Sequence, residues 1–275
     1  MKLNELFSLS GKTALVTGCS RGIGEAMAIA LAEAGADIIG VSGTLQPGSY
    51  VEQEVKKAGR KFSTYTIDLG NREALYQSIA KIKAENPVID ILINNAGISM
   101  RAELKDASVD VIRQVMNINF FGAVYCTNYA LNSIIERGGT IAAVSSIAGY
   151  RGLPGRSGYS ASKFALQGWL EAIRTELLDS GVNVMWVCPG FTTSNIRNVA
   201  LNKEGQPQGE SPMDESSMMP ADKCARLILR AIEKRKRTLV MTFTGKRTVW
   251  MNKLFPALTD KMVRKFFYKK EVLTK

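Results

Sequence analysis

A chain of 275 residues, 45% apolar and 22% charged, has the length and balance of one large globular domain, which excludes a disordered chain or a disulfide scaffold. It contains no histidine, so Ser-His-Asp hydrolysis, Cys-His proteolysis and His-ligated zinc or iron are excluded. The formal charge of +11 is concentrated at one end: residues 1–229 carry 22 basic and 22 acidic side chains, whereas residues 230–275 carry 14 and 3.

Along the first 190 residues, short β-branched runs alternate with longer amphipathic stretches. Strands are predicted at Thr13–Thr17, Asp37–Val41, Phe62–Ile67, Ile89–Ile93, Thr140–Val144 and Asn183–Val187. Their near-continuous apolar character is that of a parallel sheet covered on both faces. Helical patterns such as Ile23–Ala34 lie between them. The repeat predicts a single α/β domain with a Rossmann-type doubly wound parallel sheet over residues 1–244. Residues 191–219 are polar and carry Met213, Met218 and Met219, the pattern of a lid. A helix over Pro220–Arg235 and a closing strand over Thr238–Phe243 follow.

Residues 245–275 form a basic C-terminal extension. Trp250, Leu254, Leu258, Met262 and Phe266 recur at intervals of four, which predicts one helix, or two broken near Pro256, with an apolar stripe. The stripe is expected to pack on the body or a partner subunit; a peripheral membrane contact is the second reading. No nucleic-acid partner is expected, since no recognised binding motif accompanies the charge. Apolar runs fall short of the ~18 residues of a membrane span, and Met1–Gly11 has no signal-peptide core. Cys19, Cys126, Cys188 and Cys224 have neither metal nor redox spacing, so a reduced, cytoplasmic setting is expected and no metal site.

The first strand runs into Thr17-Gly18-Cys19-Ser20-Arg21-Gly22-Ile23-Gly24 and then directly into a helix. Such a turn allows close backbone approach, and the helix N-terminus offers free N–H groups to a diphosphate. Tyr159 and Lys163 are four apart on one helix face, thirteen and seventeen residues after Ser146 at a strand end. A phenol titrates near 10, and a neighbouring ammonium favours its anion, so Lys163 can bring Tyr159 towards useful acid–base range.

These residues, with Asn94-Asn95-Ala96-Gly97 and Asn119-Phe120-Phe121-Gly122, resemble the short-chain dehydrogenase/reductase family over residues 10–240. The resemblance implies a ketone–alcohol oxidoreductase with Asn119, Ser146, Tyr159 and Lys163 as catalytic residues. It implies a nicotinamide cofactor held by Gly18, Ser20, Arg21, Gly22, Ile23, Gly24, Ser42, Asp68, Asn95, Ala96, Gly97, Tyr159, Lys163, Pro189, Gly190 and Ser194. It also implies a homodimer built on helices near Val109–Arg137 and Gly158–Asp179.

At the end of strand two an acidic residue would bind a free ribose 2′-hydroxyl, but Ser42, Gly43 and Thr44 stand there. NADP is therefore favoured over NAD, with Arg21 as a phosphate ligand. The expected substrate is a small-molecule carbonyl or alcohol, and pocket walls are expected at Ile98–Arg101, Ile147–Arg156 and the lid. Arg101, Arg151 and Arg156 there suggest an acidic group, and the methionines an adaptable apolar wall. Residues 1–97 resemble sugar-acid dehydrogenases of the 2-deoxygluconate type. The remainder resembles hydroxysteroid-dehydrogenase-related reductases, which favours a bulky apolar ketone. A sugar acid, or a non-catalytic cofactor-binding role, is the alternative.

Overall fold

The computed structural model describes residues 8–211, 213 and 218–274. The N-terminal part of the Met1–Gly11 reading and the lid positions 212 and 214–217 lie outside the described residues. In chain order the body runs β1 (Thr13–Thr17), α1 (Gly22–Glu33), β2 (Asp37–Ser42), α2 (Tyr50–Lys57), β3 (Phe62–Thr66), α3 (Arg72–Glu85) and β4 (Ile91–Asn94). It continues through α4 (Val109–Met116), α5 (Gly122–Glu136), β5 (Thr140–Val144), α6 (Ser157–Glu176), β6 (Asn183–Cys188), α7 (Ala221–Glu233) and β7 (Thr238–Val240). The chain ends with α8 (Phe243–Leu254), α9 (Pro256–Phe267) and a short hairpin, β8 (Tyr268–Lys269) and β9 (Val272–Leu273). Residue 245, the expected start of the extension, falls inside the first turn of α8.

Seven strands form one parallel sheet in the order β3-β2-β1-β4-β5-β6-β7. Side chains alternate between two cores. Val16, Ile38 and Ile93 face the layer of α1, α2 and α7, while Leu15, Ile39 and Leu92 face α3, α5 and α6. Burial on both faces is why the strand sequences read as apolar runs. Chain order reverses between β1 and β4, and a doubly wound sheet opens its ligand crevice at such a switch point.

The opposite edge is tied by a buried carboxylate. Asp90, just before β4, accepts from Lys12 Nζ at 2.9 Å, Arg137 Nε at 2.9 Å and the Thr13 N–H at 3.0 Å. Its side chain is only 3% exposed. Burial alone would push its pKa up; the three donors outweigh that and hold it below the usual carboxylate range. One side chain thus joins the starts of β1 and β4 to the end of α5.

The tail forms two helices, and α9 begins at Pro256, where the sequence predicts the break. Its contacts differ from the expectation. Thr259 and Phe267 are buried, but Trp250, Leu254, Leu258, Met262 and Phe266 remain 42–61% exposed on this chain. The pair is docked on the body by polar ties from Arg151 to Asn252 and Asp260, and from Asn252 to the Tyr150 carbonyl. Among the described residues, no helix is long and apolar enough to cross a membrane.

Removing the Asp90 carboxylate leaves Lys12, Arg137 and a backbone N–H without their acceptor. Asp90→Ala is expected to lower unfolding free energy by about 3 kcal/mol in urea titrations. The native carboxylate titrates below its unfolded value near 4, so its contribution is complete above that pH and is lost as pH falls through the native pKa. The wild type should therefore lose stability in acid more steeply than the variant; parallel acid limbs would contradict this assignment.

Candidate active site

The crevice begins at the glycine turn. Gly18 has φ +65°, and a Cβ on it would lie 2.7 Å from the Ala96 Cα, so the turn and the end of β4 touch backbone to backbone. Asn95 holds them together, donating from Nδ2 to the Thr17 and Gly18 carbonyls at 3.0 Å. Thr17 Oγ1 accepts from the N–H groups of Asn95 and Ala96, each at 3.0 Å. Gly24 lies behind the wall: a Cβ there would meet the Gly18 carbonyl oxygen at 2.2 Å, so its part is close packing. The α1 N-terminus carries no side-chain cap from Arg21, whose guanidinium instead reaches Thr44 Oγ1 at 3.4 Å.

A cleft of about 1350 Å³ runs from this turn across the C-terminal ends of the strands. That is more space than a drug-sized ligand fills, and it suits a dinucleotide together with a substrate. Gly18, Ser20, Arg21, Gly22, Ile23, Ser42, Asp68, Asn95, Ala96 and Gly97 line one end; Pro189, Gly190 and Ser194 line the far side. Ser20 Oγ lies 3.1 Å from Ser42 Oγ and 2.9 Å from Thr44 Oγ1. This corner is a cluster of hydroxyls beside a guanidinium. Together, an uncapped helix N-terminus, a floor without Cβ atoms and a hydroxyl corner fit a diphosphate-linked dinucleotide.

Ser146, Tyr159 and Lys163 meet in the middle of the cleft. Ser146 caps a short 3₁₀ turn, accepting from the Ala148 N–H at 3.1 Å, and its hydroxyl stands near enough to Tyr159 to draw the phenol's pKa down. Lys163 Nζ donates to the Val144 carbonyl at 2.8 Å, and burial pushes its pKa down to about 8. Burial pushes the Tyr159 phenol up; the Ser146 hydroxyl and the charges of Arg156 and Arg197 pull it back. Lys163 Nζ lies 5.7 Å from the Tyr159 ring centroid, and the arginines add to the positive charge around the phenol.

Asn119 stands behind this group, not in the cleft wall. It lies in a π-turn, Asn117–Phe121, inserted between α4 and α5. The widened turn points its amide at Ile98, accepting from that N–H at 2.8 Å and donating to that carbonyl at 2.9 Å. A Cβ on Gly97 would approach Asn119 Oδ1 to 3.2 Å and Lys163 Nζ to 3.5 Å, which makes glycine the fitting residue there.

Sequence reasoning passed over Gln167, one turn beyond Lys163. It is buried, and its Nε2 donates to Ser145 Oγ at 2.7 Å and to the Ser146 carbonyl at 3.4 Å, fixing the loop that presents Ser146. The only available signal was a polar residue on the apolar face of α6. The expected wall also needs revision. Arg101, Leu153 and Arg156 line the cleft, but Arg151 is spent on the tail and Met100 is fully buried beneath. The segment after β6 brings Met213, Met218 and Met219 to the cleft, and Leu201 ties it down by exchanging backbone hydrogen bonds with Ser99 and Arg101.

Residues 12–205 match the short chain dehydrogenase family. The chain belongs to that family, and it is an NAD(P)-dependent oxidoreductase. It is 43% identical over 203 residues to a 2-dehydro-3-deoxy-D-gluconate 5-dehydrogenase of Pseudoalteromonas atlantica, covering 73% of this chain and 80% of that one. It is 34% identical over 262 residues to dehydrogenase/reductase SDR family member 7B of Danio rerio, covering 91% and 84%. The fold matches a short chain dehydrogenase/reductase of Burkholderia phymatum, in complex with NAD, with a TM-score of 0.80 at 20% identity, covering 92% and 96%.

Proposed function

We propose that this enzyme interconverts a bulky apolar ketone and its secondary alcohol, with NADP as the preferred cofactor. The observation that carries the reading is the buried meeting of Ser146, Tyr159 and Lys163 beside the clasped glycine turn. The bound nicotinamide supplies the hydride for the carbonyl carbon, or receives it from the carbinol carbon. In reduction the Tyr159 hydroxyl gives its proton to the carbonyl oxygen while Ser146 hydrogen-bonds the same oxygen. Lys163 would hold the ribose of the bound dinucleotide, and Asn119 fixes the Ile98 backbone behind the cleft wall. Gly22, with Ser194 packed 3.4 Å from where its Cβ would stand, would leave room for the diphosphate to approach the backbone.

Apolar side chains favour a bulky substrate over a sugar acid. Met213, Met218, Met251, Met262, Val263 and Phe266 line the outer half of the cleft, and the last four come from α8 and α9. The same tail carries the exposed stripe, and Met262 and Phe266 belong to both. We place this face on an anionic bilayer: Lys253, Lys261, Lys265, Lys269 and Lys270 belong to the same segment as the exposed Trp250, Leu254, Phe255 and Leu258 and supply the complementary charge. We also infer a homodimer through α4, α5 and α6, whose surfaces leave Val109, Phe121 and Phe164 exposed. The four cysteines are free, which suits a reducing, cytoplasmic setting.

Tyr159→Phe should reduce turnover at least about 100-fold while the dinucleotide still binds, as read by steady-state kinetics and cofactor fluorescence. Turnover within tenfold of wild type would remove Tyr159 as the acid. Ser42→Asp should move the ratio of kcat/KM values from NADPH towards NADH, because a carboxylate repels a 2′-phosphate and binds a free diol. An unchanged ratio would place cofactor choice elsewhere. The protein should be a dimer by light scattering at micromolar concentration, a monomer contradicting the inferred interface, and in sedimentation it should pellet with phosphatidylserine vesicles at low salt. Binding should weaken steeply by 0.15 M salt, and phosphatidylcholine vesicles should retain little. Equal binding to both vesicles, or none, would contradict the membrane face.

A further inference from the structure

We infer that Arg156 and Arg101 form an anion-binding subsite next to Tyr159, so that the preferred ketone carries a carboxylate or phosphate close to its carbonyl. This rests on the oxidoreductase reading above and narrows its substrate from a wholly apolar ketone to an amphiphile with an anionic head and an apolar remainder.

Both side chains line the cleft, and both have a buried Nε without a hydrogen-bond partner. A buried unsatisfied guanidinium donor is costly, and such groups are normally paired. Among the described residues, neither arginine forms an ion pair with a carboxylate. The nearest acidic side chain in sequence, Glu103, is engaged by the Tyr268 hydroxyl at 2.7 Å and by Lys105 at 3.4 Å. Arg101 donates one bond, from Nη2 to the Leu273 carbonyl at 3.3 Å.

The subsite is assembled from three distant parts of the chain. A backbone bond from the Ala102 N–H to the Gly155 carbonyl, at 2.9 Å, sets the Arg101 segment beside Arg156. Phe267, from the end of α9, places its ring 5.8 Å from the Arg156 guanidinium carbon, which orients the guanidinium by a cation–π contact. The C-terminal hairpin closes over Gly155 through Leu273, which would lie 2.4 Å from a Cβ there. Burial and the like charges of Arg101 and Arg197 press the Arg156 pKa downward, while Tyr159 acts in the other direction. Concentrated positive charge in a partly dry cleft is relieved by a bound anion, and guanidinium groups bind carboxylate and phosphate bidentately. The apolar outer wall then receives the remainder of an amphiphile.

The test compares matched ketones on the wild-type enzyme and on Arg156→Gln and Arg156→Lys. One pair is 5-oxododecanoate and its methyl ester; the other is 2-oxododecyl phosphate and 1-hydroxydodecan-2-one. Wild type should prefer the anionic member of at least one pair by about 30-fold or more in kcat/KM, and the better pair identifies the acid. Arg156→Gln should collapse that preference to within about threefold, mainly through KM for the anion, and Arg156→Lys should restore part of it. Because the readout is a ratio, a general loss of activity or stability divides out. Wild-type turnover of the neutral ketones without preference for either anion would overturn the subsite while leaving the oxidoreductase reading intact. An unchanged preference in Arg156→Gln would overturn it as well. No turnover of any ketone with either cofactor would instead strike the function on which it rests.

Discussion

The site depends on a backbone-to-backbone contact between the first turn and the end of β4. Gly18 and Ala96 approach so closely that a single methyl group on Gly18 would separate them, and Asn95 locks the contact with two hydrogen bonds across it. The clasp sets the α1 N-terminus against the crevice floor at the point where strand order reverses. Everything chemical stands in relation to that floor: the hydroxyl corner at Ser20, Ser42 and Thr44 on one side, Gly97 and Lys163 on the other.

Burial of the acid–base group is the second constraint. A phenol and an ammonium are both costly to charge away from water, and both shift in the direction that favours neutrality. Countervailing charge comes from Arg156 and Arg197, which lower the Tyr159 phenol. The same cations face the substrate end of the cleft. One positive cluster therefore serves proton chemistry and, by our inference, recognition.

Much of this was legible in the sequence because the glycine turn, the Tyr-Lys spacing and the apolar strand runs are local patterns with one physical reading each. The strands lay within a few residues of their predicted bounds; β4 starts at Ile91, although the Asp90 backbone still bonds to Thr13 and Thr140 on either side. What escaped was non-local. Asn119 was found by motif, but the π-turn that aims it inward leaves no periodic trace. Arg151 and Arg156 are alike in sequence, and only the path of the tail decides that one holds α8 and α9 while the other meets Phe267 in the cleft. The stripe on α8 and α9 was legible as an apolar face, but not its exposure on this chain.

The most direct measurement is a crystal structure of the ternary complex with NADPH and a slowly turned-over ketone or its alcohol. The diphosphate should lie over Gly22 and Ile23, the 2′-phosphate among Ser42, Thr44 and Arg21, and the substrate oxygen within hydrogen-bonding distance of both Tyr159 Oη and Ser146 Oγ. Lys163 Nζ should contact the ribose hydroxyls. A dinucleotide seated away from the clasped turn, or a substrate oxygen held by groups other than Tyr159 and Ser146, would contradict this arrangement.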